Sequence, residues 1–452
     1  MTHSSSKFAP KLIFKASLWI FLAFGLSQAL RLGGNLITTR LLVPEMFGVM
    51  AVVFAVMQGL SMIMEAGLWA YVVRDKDGDK RAIYDVAWTA QVLRGLIIFV
   101  LALIFVAVMA QMSRENGPDY LGIYTSSDFL WVMTVIAFTA LLSGCNSMAT
   151  ALKSRELVRG KIEVMELSSQ LVGFIVMIAW AWFYPSIWAL ASAAIVSSVS
   201  KLILSFSLFD YRHRFNFNKQ VLYDMYLFGR WILLASILTF IAQSGDKLFF
   251  GSTLSAGQLG VYSIASMLAL AFMNITARIT TNILFPIFSR TANLEASALS
   301  RQYYNARFKI DSVLYLVAGF LFVFSPLIID ILYDERYQSA GQMLQILALS
   351  IPGYAMTAAA QECLGALGLT KIRTQVMLLR SITLVISLPL AYSYYSIEGA
   401  IIAIAVNPWL GLLVLLPSMK RHRLFNGLAE LKALPVGVIG FILFFAILAS
   451  IN

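Results

Sequence analysis

Asn274, Arg278 and Asn282 recur at i, i+4 and i+8 inside an apolar stretch, a spacing that puts all three on one face of a helix. A guanidinium in hydrocarbon costs from a few to more than ~10 kcal/mol, so Arg278 has to face protein, water or an anion. Other apolar stretches carry Arg31, Arg94, Lys201 and Arg380, against Glu65 as the main acid. Three more polar stripes run at helical spacing: Gln28, Arg31, Asn35 and Thr38; Gln58, Ser61 and Glu65; Ser236, Thr239, Gln243 and Asp246. The excess of positive charge suits an anionic ligand, and arginine offers a planar donor fork for phosphate oxygens. The bland alternative is interhelical hydrogen bonding that only holds a bundle together, which fits the Ser and Thr members best. Arg94, Lys201 and Arg380 are long enough to reach an interface. Arg230 and Glu362 lie close enough to span ends to snorkel, and Asp246 and Lys247, near an outer end, could each reach water.

The elements that position these groups follow from composition. Of the 452 residues, 60% are hydrophobic and 13% charged, with a mean hydropathy of +0.79. Soluble domains carry about 25% charged residues, so the chain reads as an integral membrane protein. Apolar runs near the ~20 residues of a span occur at 17–40, 46–73, 84–112, 127–150, 162–184, 186–210, 221–250, 258–288, 309–333, 339–367, 372–395, 397–418 and 434–451. The first reads as a retained helix rather than a signal peptide, because its apolar core continues into a polar stripe. Trp88, Trp131, Trp182 and Trp188 fall near span ends, as an interfacial belt requires. Pro286, Pro326, Pro352, Pro389 and Pro408 fall in or beside later helices, where they are expected to kink them.

The net charge of +11 is distributed by side. Loops after even-numbered runs, the N-terminal stretch and the 419–433 linker hold most of the lysines and arginines, among them Lys76, Arg81, Lys153, Arg212, Arg290, Arg307 and Lys371. The opposite side holds only Arg40, Arg114 and Arg336. The positive-inside rule then puts the N-terminus in the cytoplasm and accounts for the charge without nucleic acid. The largest outer loop, roughly 111–128, is too small for a folded domain. No phosphate-binding glycine loop, zinc spacing or nucleophile elbow is present, so neither an enzyme nor a cofactor is expected. Asp75, Asp77 and Asp79 sit among Lys76, Lys80 and Arg81 and read as a solvated turn, and Cys145 and Cys363 form no metal pattern.

Leu254-Ser-Ala-Gly-Gln-Leu-Gly260-Val261 repeats the spacing of Leu42-Val-Pro-Glu-Met-Phe-Gly48-Val49, and one offset pairs Gly34 with Asp246 and Ala66 with Arg278. An offset of six helices preserves orientation, which implies two halves related by an axis along the membrane normal. TTRLLVPEMFG, GDKLFFGSTLSAGQLGVYSIAS and LFPIFSR resemble the polysaccharide-export flippases, the O-antigen and colanic-acid type translocases of the multidrug/oligosaccharidyl-lipid/polysaccharide exporter superfamily. The resemblance runs from about Phe14 to Met419.

It implies an all-α polytopic protein of the bacterial inner membrane, with two six-helix lobes around a central cavity. The expected organisation is a first lobe over 1–210, a cytoplasmic linker at 211–220, a second lobe over 221–419, and a basic linker with an extra helix over 420–452. It implies an alternating-access flippase that carries an undecaprenyl-pyrophosphate-linked oligosaccharide outward for surface polysaccharide synthesis. Its partners are that substrate, membrane lipids and other polysaccharide-assembly proteins. Arg31, Arg278, Arg94, Arg380, Lys201, Asn35 and Asn274 are then headgroup candidates, and Glu65 and Asp246 coupling-ion candidates. A small-molecule or cation antiporter of the same superfamily should have an acidic cavity. A polymerase or glycosyltransferase should carry carboxylates in a sizeable outer loop, and the first outer loop, near Leu41 to Glu45, is tiny. The topology is testable: single cysteines at Asp77, Lys153 and Asn216 should label from the cytoplasm, and at Asp119 and Glu335 from the periplasm. One site labelling from the wrong side would break the helix count.

Overall fold

An apolar run inside a bilayer has no water to satisfy its backbone, so it must close its hydrogen bonds internally as a helix. The computed structural model describes residues 10–64, 67–75, 78, 80–117, 120–155, 160–209, 211–292 and 295–451, and no strand occurs among them. Eleven helices among the described residues are long and apolar enough to cross a membrane. One of these, Lys371–Arg421, holds 51 residues and is broken at Tyr395 and Ser396, where Ser396 takes φ 51°. That break falls between the apolar runs at 372–395 and 397–418. The chain forms two compact units, Met1–Ser236 and Ile237–Asn452.

The first unit contains α1 (Pro10–Leu41), α2 (Pro44–Ile63), α3 (Leu68–Arg74), α4 (Arg81–Asn116), α5 (Ser127–Gly144), α6 (Ala149–Arg155), α7 (Gly160–Phe183) and α8 (Ile187–Ser207). Its main packing pairs are α7 with α8, α4 with α5, α1 with α7, and α5 with both α2 and α8. Lipid tails are as apolar as leucine, so such pairs gain from close backbone approach rather than from hydrophobic transfer. Gly95 on α4 meets Gly144 at the end of α5. A Cβ at Gly95 would lie 2.6 Å from the Ala140 carbonyl and 2.9 Å from the Gly144 Cα. The following α9 (Lys219–Thr253) crosses the division between the units. Its first half belongs to the first because Met225 packs with Leu68, Val72 and Tyr84.

The segment between α8 and α9 is stapled to the first unit. Arg214 N–H donates to Asp85 at 3.2 Å and Asn216 N–H to the Thr89 hydroxyl at 3.0 Å. His213 stacks on Trp88 with ring centroids 5.2 Å apart. Its Nε2 accepts the Met148 N–H at 3.2 Å, so the ring proton sits on Nδ1, which faces Asp85 at 3.8 Å.

The second unit continues through α10 (Ala256–Ile279), a π turn (Thr280–Leu284), α11 (Phe285–Thr291), α12 (Ala296–Leu332), α13 (Ala340–Ala348), α14 (Ser350–Ala366), α15 (Lys371–Leu410), α16 (Leu412–Arg421), α17 (Gly427–Glu430) and α18 (Leu434–Ile451). Pro286 lacks the N–H that would bond the Asn282 carbonyl, which accounts for the wide turn there. The sequence repeat has matching local builds. Leu42 and Leu254 are both buried, Val43 and Ser255 are both extended at the caps, and Gly48 and Gly260 are buried in the first turns of α2 and α10. Ser255 and Gln258 add a reciprocal capping box in the second copy.

The distribution of basic residues put Arg307 in a loop; the structure buries it in α12. Its Nε donates to Asp311 at 2.6 Å, its Nη1 to Tyr303 at 3.1 Å and to Glu430 of α17. Tyr304 donates to Glu430 at 2.8 Å and accepts the Asn426 N–H at 2.9 Å. This network ties the segment before α18 to α12, and Gly437 then packs α18 against Tyr315.

Burial holds His213 below its ordinary pKa of 6.5, with Asp85 opposing the shift only in part. The neutral ring is therefore the folded form. Stability from this contact is fully present above about pH 6.5 and is lost as pH falls towards the lowered value. Melting of the purified protein should fall on acidification from about pH 8 to about pH 5. In His213→Gln that acid-side loss should shrink, at a cost of roughly 1 kcal/mol at neutral pH.

Candidate functional site

Membrane helices position polar groups by which face they turn from lipid. On α1, Arg31 is accessible, Asn35 is half-buried and Thr38 is buried. Thr38 returns its hydroxyl to the Gly34 carbonyl at 2.9 Å, satisfying itself along the helix. No acidic side chain among the described residues forms an ion pair with Arg31. Arg94 on α4 donates Nη2 to the Ser61 carbonyl at the end of α2, 3.2 Å away. Lys201 on α8 is held by Glu166 of α7 at 2.5 Å, so its charge is already matched within the first unit. Glu65 lies outside the described residues.

In the second unit Asn274 is accessible and Arg278 half-buried on α10, and Asn282 is accessible within the π turn that follows. Asp246 does not reach water. It is 7% exposed, because α10 packs over it and Tyr262 donates its hydroxyl to the carboxylate. The second carboxylate oxygen, Oδ1, is buried with no partner among the described residues.

Arg380 does not reach an interface either; it is 8% exposed within α15. Its Nε donates to the Asn407 side-chain carbonyl at 3.0 Å. The Asn407 amide donates back to the Arg380 carbonyl at 2.8 Å and to Thr383 at 3.2 Å. Asn407 thereby joins the two parts of α15 on either side of the Ser396 break. No carboxylate among the described residues pairs with Arg380, so an amide orients the charge without neutralising it. Asn407, Tyr262 and Glu166 were not singled out from the sequence. Nothing in their own spacing marks them, since each partner lies on another helix or on the far side of the break. The candidate contacts described are Arg94 with Ser61 and Lys201 with Glu166 in the first unit, and Asp246 with Tyr262 and Arg380 with Asn407 in the second.

Residues 37–342 match the family described as polysaccharide biosynthesis protein. The chain belongs to that family. Within the polysaccharide biosynthesis proteins it is similar to the succinoglycan biosynthesis transport protein ExoT of Rhizobium meliloti strain 1021, 24% identical over 321 residues, 70% of this chain and 61% of that one. It is also similar to the lipopolysaccharide biosynthesis protein WzxC of Escherichia coli K12, 21% identical over 316 residues, 69% of this chain and 61% of that one. The chain therefore spans about three fifths of the length of these relatives. Among solved structures, the lipid II flippase MurJ in an inward closed conformation superposes with a TM-score of 0.71 at 12% identity, over 97% of this chain and 99% of that one. An inward-facing multidrug resistance MATE family transporter of the MOP superfamily gives 0.64 at 15% identity, over 88% of this chain and 94% of that one. The family member described here has the fold of those transporters and is a multi-pass membrane protein.

The Arg380–Asn407 pair separates structure from function. Asn407→Leu alone should destabilise by about 3 kcal/mol, because it strands a buried guanidinium. Arg380→Met combined with Asn407→Leu should restore most of the folded protein, measured by size-exclusion of the solubilised chain, yet still lower transport per folded molecule. Full transport in the double variant would make the pair purely structural.

Proposed function

We propose that this chain is a flippase that carries an undecaprenyl-pyrophosphate-linked oligosaccharide across the bacterial cytoplasmic membrane by alternating access, with its N-terminus in the cytoplasm. The observation that carries the reading is positive charge without a matching carboxylate: among the described residues neither Arg31 on α1 nor Arg380 inside α15 has an acidic partner. Such charges in membrane helices fit an anion that neutralises them in passing. A diphosphate headgroup supplies that anion and matches the guanidinium fork. The names of ExoT and WzxC, which concern transport and lipopolysaccharide biosynthesis, point the same way. The chain is read as a transporter rather than an enzyme, with two halves that descend from the sequence repeat. Arg31, Arg278 and Arg380, with Asn35 and Asn274, are assigned to the headgroup and Arg94 to its approach. Lys201 is the weakest of the original set because Glu166 already balances it. Asp246, whose Oδ1 is buried without a partner among the described residues, is the coupling-ion candidate, beside Glu65.

Each positive charge lowers the barrier to bringing an anion into a low-dielectric passage. At Arg31 and Arg278, transport per folded molecule should fall in the order wild type, Lys, Ala, Glu. The alanine variants should lose roughly tenfold, equivalent to ~1.4 kcal/mol on the barrier. The measurement is surface polysaccharide normalised to folded protein in the membrane. Normal transport per molecule in both alanine variants would remove the cationic headgroup site.

A further inference from the structure

A cavity of about 370 Å³ lies within the first unit, between α3, the turn after α5, α6, α7 and α8. That volume falls in the ~300–1,000 Å³ range of small-molecule sites. Its chemistry differs from that of the arginines. Trp69 gives it an aromatic wall, and Thr150, Asn146, Glu163, Glu166 and Lys201 give it polar ones. Among the described lining residues Lys201 is bound to Glu166 at 2.5 Å, so Glu163 leaves that lining with a net negative charge. A diphosphate is repelled there. A neutral, hydroxyl-rich ligand is not.

A second observation asks for a donor. The Asn146 side-chain oxygen is buried and has no hydrogen-bond partner among the described residues. An unmet buried acceptor is destabilising, and a ligand hydroxyl would satisfy it. The neighbouring backbone is fixed for this purpose: Gln91 donates to the carbonyls of Gly144 and Asn146 at 3.0 and 2.9 Å, so the turn that carries Asn146 is held from α4. Donors for sugar oxygens, acceptors for sugar hydroxyls and a ring face for the apolar side of a pyranose are thus present together.

We infer that this pocket is a subsite for a sugar residue of the transported oligosaccharide, separate from the arginines that hold its diphosphate. It rests on the flippase reading, under which α3, α6 and the start of α7 lie at the cytoplasmic end of the first unit, where substrate is loaded. Sugar hydroxyls donate to Glu163, Asn146 and the Thr150 oxygen, whose own proton goes to the Ser147 carbonyl, and accept from Lys201, while one ring stacks on Trp69. Positive charge and carboxylates are thereby divided between the two ends of one ligand.

The test uses the full chain in nanodiscs and two probes: undecaprenyl pyrophosphate without sugar, and the same carrier bearing the oligosaccharide made by the host cell. Wild type should bind the glycosylated carrier more tightly than the bare one. Trp69→Leu and Glu163→Gln should each weaken the glycosylated carrier by about three- to tenfold and leave the bare carrier unchanged. Trp69→Phe should retain binding, and Arg31→Ala should weaken both probes. If Trp69→Leu fails to fold, Glu163→Gln and Thr150→Ala carry the same comparison. Equal effects on both probes, or none on either, would overturn the sugar subsite and leave the flippase reading in place. An effect of Glu163→Gln confined to the pH dependence of transport would also overturn it, by making that carboxylate a proton site. Failure of wild type to bind either probe would overturn the flippase reading and the subsite with it.

Discussion

Hydrocarbon offers no hydrogen bonds and screens charge poorly, and the arrangement of this chain follows from those two facts. The first makes every span a helix. The second sorts the ionisable side chains into those that are balanced and those that are not. Lys201 has Glu166, and Arg307 has Asp311 and Glu430. Arg380 has an amide, which orients a charge but leaves it in place. Matched pairs, half-exposed like Lys201–Glu166 or buried like Arg307–Asp311, hold helices in position and add little net stability. The unmatched charge is where an anion gains most, and for that reason the balance of partners separates the residues better than position along a helix does.

Much of this was legible in the sequence. Long apolar runs separated by basic loops mark spans because hydropathy and the positive-inside rule act on local composition. The break at Ser396 falls between two separately read runs, and the turns after Leu42 and Leu254 could be aligned because each must end one helix and cap the next. What escaped notice were partners. Asp246 read as a residue able to reach water, yet Tyr262, sixteen positions on, closes over it. Arg380 read as long enough to snorkel, yet Asn407 holds it inside. Arg307 and Asp311 are spaced i, i+4, a pairing visible in principle, but Glu430 comes from a remote segment. Periodicity encodes which face a residue occupies and carries no information about which helix is opposite.

The His213 contact shows the same limit outside the membrane. A histidine between two basic residues suggests a solvated linker, and the structure instead seats its side chain against Trp88, 1% exposed. The linker is thereby an extension of the first unit up to Asn216. The length of chain free to move before α9 is accordingly much shorter than the polar stretch 211–220 suggests.

The wide turn at Thr280–Leu284 has an evolutionary side. A π turn accommodates one residue more than an α-helical turn, and one residue corresponds to about 100° of rotation around the helix axis. Gain or loss of a single codon at this point would therefore swivel α11, with Phe288 and Arg290, relative to the part of the helix that carries Arg278. The upper half of the helix would be untouched. A lineage could re-aim one end of this transmembrane rod in a single mutational step while the other end stayed under its own selection, and homologues that differ by one residue here should be aligned with a gap inside the helix.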